Sequence, residues 1–419
     1  MKREARDKRD LPHPKPVERI ELNEENAGRK LIIAVVLLLF GAGMLVYAFM
    51  GLLTPETGWQ TIEVSGSGGP SCGEEFIFLY ELNNSAGAKM VTDIYTDACQ
   101  KAFRLFNSDQ EYEDVTNVRT INLHPNEVLE IDEGLYKALA CFPDSGRREL
   151  YLGPVYTRYD DLFFCEDDSQ LVDFDPRLNE AVRQEYGEIA AFAGDAQAID
   201  LELLENNRIC LRVSDHYLAY AQENGVDRFI DFSWMRNAFV ADYLADALAA
   251  EGFTKGTLSS YDGFTRNLDV RETDYSFSIL DLWGQAVWPA ATMHYQGPRS
   301  LVTLRDYPLN DSERWRFYEL KTGEVRTLYL DIADGFCRSA VHSLTCYSTD
   351  QGCGETLLAM LPVYIADGLL PEELARLAEE GVQSIYCQDR VIWHTDPALE
   401  LEGLFTREDV QYTEALLKP

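Results

Sequence analysis

The sequence predicts an α+β domain carried behind a single membrane-spanning helix. Three observations lead there. One uncharged run is long enough to cross a bilayer. The residues after it alternate between strand and helix patterns without the strict βαβ order of a doubly wound sheet. Their apolar and aromatic content argues against disorder.

The run is Leu31 to Leu53, LIIAVVLLLFGAGMLVYAFMGLL, with no charged residue. A hydrocarbon core takes about 20 apolar residues in helix, whereas the core of a cleavable signal is about 7–15 residues long. Arg29 and Lys30 abut its N-terminal side, and Lys2, Arg3, Arg6, Lys8, Arg9, Lys15 and Arg19 lie further back. Beyond the run no Lys or Arg occurs until Lys89. Basic flanks stay inside, so residues 1–30 are expected to be a cytoplasmic tail and 31–53 the span. Residues 54–72 follow as a linker through SGSGGP, and 73–419 as an extracytoplasmic domain at the cell membrane. The linker glycines are not a phosphate loop, because neither a feeding strand nor a Lys-Ser or Lys-Thr accompanies them.

The chain carries a formal net charge of −34. The tail is slightly basic, so the acidity lies in the domain. Such a domain repels nucleic acid, whose binding rests on Lys and Arg meeting phosphates, and it favours cations. All nine cysteines fall after the span, from Cys72 to Cys387, with no CxxC pair. An oxidising compartment would permit disulfides, but the odd count leaves at least one thiol unpaired.

Within the domain, FIFLYEL reads as a strand. Ile94, Ala98, Ala102 and Leu105 then recur at helical spacing. Residues 208–213 alternate as a strand. Met235, Phe239, Val240, Leu244 and Leu248 mark a helix stopped by Gly252. Thr257 to Ser260 runs as a strand into a turn at Tyr261-Asp262-Gly263. Strands are expected at 301–306, 327–331 and 343–347, and helices at 355–361 and 371–380. SIYC and VIW close the pattern as strands. No internal repeat is visible.

The six histidines are scattered, with no HExxH, and there is no GxSxG elbow. The acidic pairs and triplets Asp160-Asp161 and Glu166-Asp167-Asp168 read as solvated loops.

Four segments, in order, carry a family likeness. Asp231 to Asp242 reads DFSWMRNAFVAD, against a family motif close to DLGGIAKGYAAD. Leu258 to Arg266, LSSYDGFTR, stands where the family has LVNAGGNIR. Arg316 to Gly323, RFYELKTG, stands for HIIDPRTG. Ser343 to Leu361, SLTCYSTDQGCGETLLAML, stands for SVTVIAPDAALADALATAL. Leu105 to Asn122 adds a looser match. On these segments the chain resembles the FAD:protein FMN transferases, the ApbE family. The resemblance spans roughly residues 75–395 and implies an ApbE-like, T-fold-type mixed α/β domain.

It also implies chemistry. The family cleaves the FAD pyrophosphate and joins FMN to a Ser or Thr hydroxyl of a target protein, with Mg²⁺ on the phosphates. By position, Asn237, Ser260 and Gly263 would contact flavin or phosphate, and Glu355 would hold Mg²⁺. Its expected partner would be a flavin-accepting membrane redox protein. Several positions depart from the pattern. Ser233 and Trp234 replace glycines, Asn237 replaces a lysine and Asp262 a glycine. Arg316 and Glu319 replace His and Asp. In the metal pair Glu355 stands for Asp and Ala359 for Thr. The expectation is a divergent transferase or a non-catalytic, flavin-binding relative. An extracytoplasmic interaction domain without flavin chemistry is the alternative.

Overall fold

The computed structural model describes residues 57–66, 69–407 and 410–417. The expected tail and span lie outside the described residues, as do 54–56, 67 and 68 of the expected linker, whose residues Gly58–Ile62 form a strand instead. Among the described residues no helix is long and apolar enough to cross a membrane.

A nine-stranded sheet organises the domain. Its strands are β1 (Gly58–Ile62), β2 (Phe76–Leu82), β3 (Gly256–Ser260), β4 (Phe264–Asn267) and β5 (Arg299–Arg305). They continue as β6 (Ser343–Ser348), β7 (Gln383–Gln388), β8 (Val391–His394) and β9 (Thr413–Leu416). Their order across the sheet is their order along the chain. Every neighbouring pair is antiparallel except β8 and β9, which run parallel.

Each strand's period of two decides what it faces. In β2, Phe76, Phe78, Tyr80 and Leu82 point into the main core while Ile77 and Leu79 face outward. Leu258, Phe264, Val302, Leu304, Leu344 and Cys346 continue that apolar face across the sheet. Helices cover it: α1 (Ser85–Leu105), α2 (Glu133–Ser145), α3 (Arg236–Ala250) and α4 (Cys353–Tyr364). Helix α3 packs on α1 and α4, and α4 packs on β5 and β6. The opposite sheet face is partly covered by a hairpin, Tyr275–Trp283 with Ala286–Tyr295. That hairpin builds a second small core with Leu301, Tyr347, Ile385 and Ile392. Strand β6 therefore has core on both faces, and all six of its residues are buried.

Local chemistry sets the helix ends. Asn84 caps α1, its side chain accepting from Gly87 N at 2.8 Å. Asp132 caps α2, which ends where Gly146 turns left-handed at φ +68°. Helix α4 begins against the side of α3. Asp242 accepts from Cys353 N and Gly354 N, both at 2.8 Å, and meets Arg266 at 3.3 Å. Burial raises the Asp242 carboxyl above its usual range, while Arg266 and the two N–H groups pull it back. Gly352 and Gly354 make the approach possible. A Cβ on the first would fall 2.5 Å from Asp242 Oδ2, and on the second 2.5 Å from the Phe239 ring.

The strands and helices expected from sequence recur with small shifts, except at 327–331. There the strand is Val325–Thr327, paired with Phe317–Glu319, and only Leu330 bridges on to Cys337. Sequence reading placed no helix at Glu133–Ser145, Glu180–Gly194 or Asp215–Asn224, nor the 275–295 hairpin. These fill the long connection between β2 and β3 and the roof beyond β4.

Replacing Asp242 with Ala removes two charge-assisted hydrogen bonds and strands Arg266. The expected loss is about 3–5 kcal/mol in urea unfolding, with Asp242→Asn losing roughly half of that. A loss under about 1 kcal/mol in the Ala variant would show that α4 is held by packing alone.

Candidate functional site

The segment Asp231 to Asp242 forms the turn into α3 and the first half of that helix. Asp231 gathers the turn before α3: its Oδ1 accepts from Ser233 N at 2.7 Å. Its Oδ2 accepts from Ser108 Oγ and Arg228 Nη1, both at 3.0 Å. Arg228 also pairs with Asp109. Ser233 sits at φ +44°, in the left-handed region that favours glycine. So a serine occupies a conformation suited to the motif's glycine, and Asp231 holds it there. The next residue, Trp234, is buried and meets Tyr329 edge-on, with ring centroids 4.8 Å apart.

Asn237, the second residue of α3, donates from Nδ2 to Asp262 Oδ2 at 3.1 Å. Both residues are buried, and Asn237 Oδ1 and Asp262 Oδ1 have no partner among the described residues. The pair stands between two recesses. One, of about 290 Å³, is walled by Phe106, Asp160, Arg228, Asp231 and Trp234. The other, of about 260 Å³, is walled by Glu75, Tyr261, Glu313, Trp315 and Arg316. Glu75 pairs with Arg236 at the start of α3. Arg316 is buried, donates to Tyr329 Oη at 3.3 Å and lies over the rings of Trp315 and Phe317.

Ser260 and Gly263 line a third and larger cavity, of about 630 Å³. Its floor is the sheet face opposite the helices, where Thr257, Ser259, Thr265, Thr303 and Thr345 project. Its roof is aromatic, from Tyr275, Phe277 and Tyr295 of the hairpin. Arg305 reaches its wall with 4 % exposure. Its Nη2 pairs with Glu313, and its Nε has no partner among the described residues. Ser260 Oγ accepts from Phe264 N at 3.0 Å. Gly263 has φ +109°, and a Cβ there would fall 2.3 Å from Thr303 O. The glycine is thus required by the neighbouring strand, whatever ligand the cavity takes.

Glu355 lies apart from all three. It is exposed on the first turn of α4, and its carboxylate accepts from Gly352 N at 3.1 Å, capping its own helix. Ala359, one turn on, offers only a methyl group. Among the described residues no three His, Cys, Asp or Glu side chains converge as a metal site.

Of the residues singled out from sequence, the structure brings Ser260 and Gly263 together and places Asn237 against Asp262. It leaves Glu355 elsewhere. Two acidic segments read as solvated loops are corrected. Asp160 is half-buried while Asp161 is exposed, and Asp168 accepts from Tyr318 Oη at 3.2 Å and Lys321 N at 3.1 Å. An adjacent Asp-Asp pair gave no sign of which carboxylate turns inward. Arg305 carried no signal either, closing strand β5 between Leu304 and Asp306.

Burial, reinforced by the Asp231 charge and opposed by Arg228, pushes the Asp160 carboxyl up to about 7. Its folded value exceeds its unfolded one, so its contribution is complete below pH 4 and is lost as pH rises through 7. Asp160→Asn is therefore expected to leave stability unchanged near pH 4. Near pH 8 it should add about 1–2 kcal/mol, a fraction of the full shift because solvent and Arg228 reach the group. Urea melts of both proteins at the two pH values check this, and equal gains at both would refute it.

No family model matches the sequence, and no curated protein does. Solved structures do match in fold. The ApbE protein of Thermotoga maritima has a TM-score of 0.54 at 15% identity, covering 78% of this chain and 93% of its own. The flavin transferase ApbE of Vibrio cholerae has a TM-score of 0.52 at 13% identity, covering 82% of this chain and 96% of its own. The nine-stranded sheet and its helical layer thus form an ApbE-like fold.

Proposed function

We propose that this protein is a membrane-anchored, extracytoplasmic ApbE-like protein that binds flavin without performing Mg²⁺-dependent transfer. The observation that carries the reading is the division between its cavities and its metal positions. A cavity of about 630 Å³ lies within the size of small-molecule sites. Its aromatic roof suits a planar ring, and its hydroxyl floor suits ring carbonyls. FAD therefore fits the residues present. The residues that would hold its flavin are Ser260, Thr303, Arg305 and the hairpin tyrosines.

Mg²⁺ does not fit. The donor set has lost an oxygen at Ala359, and the remaining carboxylate, Glu355, is spent on its own helix terminus. Ser233 and Trp234 fill positions where glycines would admit a phosphate chain close to the backbone. Asn237 lacks the cationic charge of the lysine it replaces and is tied to Asp262. The location rests on the uncharged run 31–53 and its basic flank.

The test uses the full chain in detergent, titrated with FAD and followed by flavin fluorescence. It is then incubated with FAD, Mg²⁺ and an acceptor domain bearing a target threonine. Saturable binding is expected, with no fluorescent acceptor band on a denaturing gel. Thr303→Phe, which fills the cavity floor, should weaken binding at least about tenfold without changing the circular dichroism melt. A labelled acceptor would overturn the non-catalytic reading. Absence of FAD binding would overturn the flavin reading and leave an interaction domain.

A further inference from the structure

All nine cysteines are thiols, seven buried and two half-buried, and two of them meet where the linker enters the domain. Cys72 precedes the short turn Gly73–Glu75 that leads into β2, and Cys99 lies on α1. The Cys72 backbone N–H donates to Cys99 O at 3.4 Å, and the Cys72 thiol reaches the same oxygen at 3.3 Å. Their exposures are 1% and 0%. The two thiols also contact each other, and burial with that contact pushes the Cys99 thiol far up. A backbone contact this short keeps the two Cα atoms within the span a disulfide bridges. Other thiols have different partners: Cys346 meets Ser384 Oγ, and Cys353 donates to Thr265 O. Cys141 and Cys165 bond carbonyls four residues back in their own helical segments.

We propose that Cys72 and Cys99 form a disulfide when the chain folds in the presence of an oxidant of the disulfide-exchange class, before burial closes access to the two thiols. One thiolate attacks a sulfur of the donor disulfide, giving a mixed disulfide and releasing one donor thiol. The second cysteine, losing its proton, then attacks the first cysteine's sulfur and displaces the other donor sulfur. Two cysteine thiols are oxidised to one S–S bond, and one donor disulfide is reduced to two thiols. The bond joins the entering chain to α1 three residues before Glu75, whose ion pair with Arg236 walls the recess at Asn237. It clamps that wall from outside the site. Its formation in the cell rests on the extracytoplasmic location proposed above, whereas its pairing rests on geometry alone.

The experiment refolds the purified full chain from denaturant into detergent with excess oxidised glutathione. It is then quenched with acid, alkylated under denaturing conditions, digested and analysed by mass spectrometry. Most molecules should carry a peptide joining Cys72 to Cys99. Reductant should lower the melting temperature of this product by about 3–6 °C and leave that of Cys99→Ala unmoved. Recovery of both cysteines alkylated, or Cys72 joined elsewhere, overturns the proposal even if Cys99→Ala fails to fold. Alkylation of intact cells before lysis separates the two readings. A pair that links on refolding but is trapped as free thiols in cells keeps the pairing and defeats the location.

Discussion

The carboxylate of Asp242 is where helix, helix and sheet meet. It lies on α3, takes the first two free N–H groups of α4 and draws in Arg266 from β4. A helix start leaves its first N–H groups without internal partners and carries partial positive charge, so a buried anion there answers both needs. Once α4 is anchored, Thr356 meets Ser300 at 3.0 Å and the helix lies over β5 and β6. The second core on the far side of β6 is positioned through those same strands. Two glycines, at 352 and 354, keep the anchor at bonding distance.

The recesses are shaped by two backbone conformations with φ above zero. Ser233 keeps a left-handed turn with the help of Asp231, and Gly263 is demanded by the carbonyl of Thr303. Around these fixed points the polar side chains have turned to one another. Asn237 is satisfied in part by Asp262, and Glu355 by a backbone amide. A buried polar group without a partner costs about 1–3 kcal/mol, so these internal bonds stabilise the recess walls. The large cavity under the hairpin is different, because its floor keeps a row of hydroxyl side chains, Thr257, Ser259, Thr265, Thr303 and Thr345.

Strands β2 and β3 were legible for their period-two alternation, and β3 also for the glycine turn that ends it. Helix α3 was legible for its 3.6-residue period, and Asn237, Ser260 and Gly263 for their place in the matched segments. What could not be read was set by distant residues. The helices Glu133–Ser145, Glu180–Gly194 and Asp215–Asn224 went unread, and Asp132 and Gly146, which bound the first of them, resemble ordinary turn residues. That Glu355 would fold back on Gly352 depends on the course of the loop before it. That Asp160 would turn inward depends on Arg228, nearly seventy residues later in the chain.

The unbroken order of strands across the sheet has a consequence for how the chain is made. Strand β2 ends at Leu82 and its partner β3 begins at Gly256, so about 170 residues must emerge before the pair can close. At synthesis rates of about 5–20 residues per second, an apolar strand edge waits on the order of 10–35 s for its neighbour. Pairing of such separation is slow to form even in the finished chain. During that interval α1, packed on β2 from its immediate downstream side, is the cover at hand. The nascent domain is thus most open to aggregation before β3 arrives, and a chaperone that shields extended apolar segments would act on it there.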